Sequence, residues 1–157
     1  MIDFCADIVS GRSAGGVALN DDIADYLEEM YFSHRVVLRS YHLPNGQERL
    51  AYSLDETLTV VTLPNGSIFS IGCNGRYRGR CNGHLYPGQT MGDVIEVTGR
   101  QRIFNGCLIT NDDFGFSFVL PHPYDEMADS IGDIPLDLVL EELYVSDFSA
   151  WNPNRQV

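Results

Sequence analysis

Five Asn-Gly dipeptides constrain this chain more than any other feature: Asn45-Gly46, Asn65-Gly66, Asn74-Gly75, Asn82-Gly83 and Asn105-Gly106. Both residues tolerate positive φ, so the pair suits the tight type I′ turns that join antiparallel strands. Two copies lie in an identical Leu-Pro-Asn-Gly, at 43–46 and 63–66. The flanking segments are rich in residues that favour a pleated, half-buried surface, among them Val36, Val37, Leu38, Val60, Val61, Ile68 and Ile71. Residues 35–42, 48–54, 58–63 and 67–73 are therefore expected to form a four-strand meander.

Two segments carry a helical period instead. In 21–30 the apolar residues Ile23, Tyr26, Leu27 and Met30 fall on one helical face. Asn20 or Asp21 is the expected cap, and Asp21 and Asp22 suit the positive end of the helix dipole. In 90–97 Thr90 is the expected cap, Met91, Val94 and Ile95 the apolar face, and Gly99 the stop. Strands are then expected over 103–110, 114–120 and 138–145. The segment 74–80 is expected inside a hairpin, where alternation would place Arg76, Arg78 and Arg80 on one face. Residues 121–135 read as a proline-bounded loop with at most a short helical turn. The tail from Asp147 onward is expected to be loosely ordered.

The fold class that follows is α+β: antiparallel sheet built from meanders and hairpins, with two short helices on one side. Length suits a single domain over 1–157. The two helix contexts align at an offset of 68, Ile23 with Met91 and Asp25 with Asp93, which suggests two related helix-plus-ribbon units at roughly 11–75 and 79–146. The alternative is two unrelated helix starts.

Charge narrows the partners. The chain has 22 acids against 10 bases, a formal net charge of −12. The bases are all arginine, and none lies in 103–154. Such a surface repels nucleic acid and anionic membrane and speeds encounter with cationic proteins, although acidity also serves solubility alone. The N-terminus has no basic segment followed by an apolar core, and no apolar run approaches a membrane span, so a cytoplasmic location is expected. There the four cysteines, Cys5, Cys73, Cys81 and Cys107, are expected as free thiols.

No nucleophile elbow, phosphate loop, HExxH or dinucleotide fingerprint is present. Cys73, Cys81 and His84 have the wrong spacing for a zinc knuckle. His34, His42, His84 and His122 are scattered. No metal, cofactor or catalytic residue is assigned. What stands out is an acidic region with aromatics interleaved. Tyr124, Asp125, Glu126, Asp129 and Asp133 lie in the proline-bounded loop, and Tyr144, Asp147, Phe148 and Trp151 follow. With Asp112 and Asp113, read as a turn between strands, these residues other than Phe148 form the candidate partner-binding set of ten. Carboxylates would supply attraction and the aromatics desolvated anchors.

The run Asn65-Gly66-Ser67-Ile68-Phe69-Ser70-Ile71, then Tyr77-Arg78-Gly79, then Pro87-Gly88-Gln89-Thr90-Met91-Gly92-Asp93-Val94, continues through Asp112-Asp113-Phe114-Gly115-Phe116-Ser117-Phe118 to Leu143-Tyr144-Val145. In this pattern of strand, glycine turn and short helix, over about half the chain, the sequence resembles immunity proteins of bacterial contact-dependent inhibition and other polymorphic toxin systems. The resemblance implies a small, acidic, cytosolic protein that binds and neutralises a cognate toxin domain, often a nuclease, by occluding its basic active site or an adjacent surface. It carries over no functional residue. The helix-plus-ribbon tandem is also similar in layout to β-lactamase inhibitor proteins, an analogy of architecture alone. The alternatives are a small enzyme with a Cys–His or carboxylate site, and a structural or adaptor domain.

Overall fold

The structure, a computed structural model, describes residues 1–154. It is α+β. In chain order the elements are β1 (Ser13–Ala14), β2 (Val17–Ala18), α1 (Ala24–Ser33), β3 (Val36–His42), β4 (Glu48–Leu54), β5 (Leu58–Thr62), β6 (Ile68–Cys73), β7 (Gln89–Thr90), α2 (Met91–Val97), β8 (Gln101–Phe104), β9 (Cys107–Thr110), β10 (Phe116–Val119), α3 (Tyr124–Met127), β11 (Val139–Leu140) and β12 (Glu142–Val145). Single 3₁₀ turns occupy Ile131–Asp133 and Ser149–Trp151. Eight strands form one antiparallel sheet in the order β3-β4-β5-β6-β12-β10-β9-β8. β1 pairs with β2, and β7 with β11, as separate two-stranded ribbons.

Each half of the large sheet is a helix followed by four strands, and the halves meet where β6 pairs with β12. Strand register makes this seam continuous. Val36, Leu54, Leu58, Cys73, Leu143, Phe118, Leu108 and Ile103 lie side by side across all eight strands. A second row joins Tyr52, Val60, Ile71, Val145 and Phe116. These residues, with Ile23 at the start of α1, Met30 within it and Met91 and Val94 of α2, form one buried cluster, against which the outermost pair Val36 and Ile103 pack partly buried. Burying each large apolar side chain stabilises the fold by about 1.5–3 kcal/mol.

Several expectations change in the details. Only two Asn-Gly pairs, Asn82-Gly83 and Asn105-Gly106, have positive φ at both residues, as a type I′ turn requires. At 43–46 and 63–66 only the glycine is left-handed. Pro44 and Pro64 occupy the first central position, where their fixed negative φ excludes type I′. The Gly46 amide donates to the Leu43 carbonyl, and the Gly66 amide to that of Leu63. Residues 103–110 are not one strand. Asn105-Gly106 folds them into the β8–β9 hairpin. The segment 74–80 contains no strand.

Helix α1 starts three residues later than its sequence suggests, and Ile23 caps it with no side-chain bond. The backbone before it is already engaged with the β5–β6 turn. Asn20 donates to Ile68, Ile68 to Asp21 and Ile23 to Gly66. Its apolar face is as read: Ile23 and Met30 are buried, and Tyr26 and Leu27 pack against the core. Helix α2 has the expected cap, with Thr90 Oγ1 accepting from the Asp93 amide at 3.2 Å, and it ends at Val97 as expected, with extended Thr98 as its C-cap and Gly99 just beyond. The described part of the tail, to residue 154, is packed rather than loose: Trp151 stacks on Phe148 (centroids 4.8 Å apart) and on Phe104 (5.8 Å), while the expectation for 155–157 lies outside the described residues. No helix among the described residues is long and apolar enough to cross a membrane.

Candidate functional site

Strand alternation sends one set of side chains into the core and the other set to the opposite face of the sheet. On that second face the residues are mostly small: Ala51, Thr59, Gly72 and Ser117. Phe148 and Trp151 fold back over one half of it, where Phe104 and Phe114 pack with them. Beside them the face stays open as a groove of about 750 Å³ that crosses the β6–β12 seam, lined by β4, β5 and β6 on one side and by β9, β10 and β12 on the other.

The floor contains Ala51, Thr59, Val61, Ser70, Ser117 and Tyr144, and the rim is made by Tyr41, Phe69, Phe148 and Trp151. Two local devices build it. A bulge between β5 and β6 pairs Val61 with Ser70 but Thr62 with Ile68, skipping Phe69. The extra residue lets Phe69 and Ser70 both face the groove while Ile68 and Ile71 both stay buried. The Phe69 carbonyl accepts from Ser146 Oγ at 3.1 Å, and its ring, 46% exposed, carries the Arg49 guanidinium 4.8 Å above its centroid. The second device is the pair Gly72–Tyr144 on adjacent strands. A Cβ at position 72 would stand 2.5 Å from Tyr144 Cε1, so only glycine lets this ring lie flat across β6. Burial, followed by Glu142 and Tyr41, pushes the Tyr144 hydroxyl up to about 12. The phenol therefore stays neutral at physiological pH and is available as a donor.

The ten candidate residues separate. Tyr144, Asp147 and Trp151 come together at the groove. Asp112 instead pairs with Arg102 Nε at 2.6 Å and Arg100 at 3.2 Å. Asp113 accepts from Ser10 Oγ and from the Gly115 amide. Residues 124–133 pack against the β8–β9 hairpin and do not line the groove. Tyr124 is half-buried against the core. Asp133 accepts from the Asp129 and Ser130 amides, which hold its carboxyl below the usual range. Asp125, Glu126 and His122 present ligand atoms within 4.8 Å of one another, all exposed. Tyr41 and Phe69 are absent from the candidate set, and Phe148 is named in the sequence only as an aromatic among the acids. The one available signal was the three-residue gap between Ile68 and Ile71, which an unbroken strand cannot bury on one face.

The lining of the groove includes one thiol, Cys107, and no histidine. Burial pushes that thiol up, with the Ser117 hydroxyl partly opposing. Cys73 and Cys81 are deeply buried and pushed up to about 12 and about 11, far from the thiolate that nucleophilic or metal chemistry needs. Comparison with protein-family models, with curated proteins and with solved structures finds no match to this chain.

Proposed function

We propose that this chain is a protein-binding inhibitor of the immunity class, and that it docks its toxin on the aromatic groove that crosses the middle of the sheet. The observation that carries the reading is the groove itself. Four aromatic side chains line a recess together with small residues and Tyr144, whose ring lies against Gly72. Aromatic anchors beside a recess are the composition of a binding hot spot, where a few residues carry most of the affinity. Glu142 and Asp147, exposed beside the groove, add negative charge at its margin. In a molecule of net charge −12 this favours a basic partner such as a nuclease domain. The expected cytoplasmic location and the exclusion of nucleic acid belong to the same proposal. The candidate acids outside the groove act through the long-range field.

The test is co-purification with the product of the neighbouring gene, followed by alanine substitution at Phe69 and Tyr41. A stable complex that loses at least about tenfold in affinity on Phe69→Ala supports the proposal. Association that slows as salt rises supports charge steering. No complex, or one indifferent to both substitutions, overturns the docking site.

A further inference from the structure

A second opening lies away from the groove, and its charge has the opposite sign. It encloses about 720 Å³, within the range of small-molecule sites. Arg76, Arg78 and Arg80 all line it, so three of the ten bases in a strongly acidic chain meet in one place.

The loop that carries them is built inside out. Tyr77 is buried between the arginines, donating to the Ala6 carbonyl at 2.6 Å and accepting from the Gly15 amide at 2.8 Å. Gly79 is pressed against the same carbonyl, where a Cβ would stand 1.9 Å from the oxygen. The backbone between is tied down in turn. The Arg76 amide donates to Asn74 Oδ1, the Arg78 amide to the Phe4 carbonyl, and the Arg80 carbonyl accepts from the Ile8 amide. With alternate residues held inward, the three arginine side chains turn outward into the cleft.

Their charge is only partly compensated. Arg76 meets Glu56 at 3.4 Å, an exposed pair of little worth. Arg80 lies over the Tyr86 ring, 4.6 Å from its centroid. Among the described residues no carboxylate pairs with Arg78 or Arg80. Asp55 also lines the cleft, where its carboxylate, bound by the Arg35 amide and by His34 Nδ1 at 2.6 Å, attracts Arg76, and Glu141 stands beside Gly75 at the edge; both lie on the Arg76 side and leave Arg78 and Arg80 as the uncompensated pair.

We propose that this cleft binds a small phosphate ester, with the phosphate held by Arg76, Arg78 and Arg80 and the organic part against Phe4, Tyr86 and Pro87. Guanidinium forks match phosphate oxygens in bidentate geometry, and a terminal phosphate offers three acceptors where a carboxylate offers two. The negative field of the rest of the molecule disfavours an extended polyanion, so a small ligand fits better than a nucleic acid. The proposal is independent of the docking reading.

The test is calorimetric titration of the full chain with adenosine diphosphate and with inorganic pyrophosphate, with adenosine as the control. Saturable binding at one site by the diphosphate, absent with adenosine, is expected. Arg78→Ala is expected to weaken it at least about tenfold, and Arg102→Ala, which alters an ion pair outside the cleft, to leave it unchanged. Arg78→Lys, which keeps the charge but removes the fork, takes the place of the alanine variant should that fail to fold. No saturation at millimolar concentrations with either phosphate compound overturns the proposal, as does binding that Arg78 substitution leaves intact.

Discussion

Replacing Gly72 by alanine tests whether Tyr144 forms the floor of the groove. The new methyl carbon would meet Tyr144 Cε1 at 2.5 Å and Cζ at 2.6 Å, against 3.4 Å or more for ordinary contact. The ring must then retreat by about 1 Å or leave the floor, a form of overpacking that costs about 1–3 kcal/mol. Removing a glycine from a strand returns about 0.5–1 kcal/mol through the unfolded chain. The net expectation is a loss of about 0.5–2 kcal/mol, read as a drop of about 0.3–1 M in the urea midpoint. A second readout separates a lifted ring from a merely strained one. In the wild type the Tyr144 hydroxyl is pushed up to about 12, mainly by burial. Lifted into water, it titrates nearer the ordinary 10.0, which tyrosinate absorbance detects as a difference against Tyr144→Phe. In a Tyr144→Ala background the same Gly72→Ala change meets no ring and is expected to be neutral or stabilising. A Gly72→Ala protein as stable as wild type, with Tyr144 titrating unchanged, would refute the reasoning.

Phe118, fully buried in the core row, is expected to cost about 3–5 kcal/mol on truncation to alanine, while Met127→Ala, at a side chain 67% exposed, stays within about 0.5 kcal/mol in the same denaturation assay. Alkaline pH is expected to weaken the fold. Cys81 and Cys73 ionise near 9.0 when unfolded but only at about 11 and about 12 when folded. Their contribution is complete below pH 9 and is lost as pH rises through those folded values, so a urea midpoint that holds steady from pH 8 to 11 would contradict it. With a thiol reagent at neutral pH, exposed Cys5 reacts first and Cys73 and Cys81 only on unfolding. The single tryptophan, Trp151, stands at the groove rim, so its emission is expected to change when a partner docks and to stay constant when a ligand fills the arginine cleft.

The strands of the first half were legible because β-favouring composition marks each one and a proline-headed turn marks one end of each. Residues 36–42, 48–54, 58–62 and 68–73 differ from expectation by a residue at most. The second half was read less well for identifiable reasons. Its turn at Asn105-Gly106 carries its own sequence signal, but the β-rich residues on both sides read as one strand over 103–110, and the dipeptide in fact splits them into β8 and β9. Helix α1 was placed early because its acidic start resembles a cap, while the backbone there is claimed by β6, a contact 45 or so residues away that periodicity does not report. The groove was the least legible feature. Tyr144 and Trp151 were singled out for their acidic neighbours, whereas what unites them with Tyr41 and Phe69 is strand order. Register across β6 and β12 puts Gly72 beside Tyr144, and nothing local to either residue announces it. For the three arginines alternation pointed to a shared face. They do line one cleft, though in a pinned loop rather than in a strand.

The placement of β12 has a bearing on how the molecule comes into being. Its neighbours, β6 and β10, are synthesised well before it, yet it must slot between them. Until residues 142–145 emerge, a nascent chain carries two raw strand edges in its middle and lacks Leu143 and Val145 to bridge the apolar rows. Cooperative closure therefore waits for the final strand, and a chain cut short before Leu143 would leave two half-sheets prone to pairing with other molecules rather than with each other.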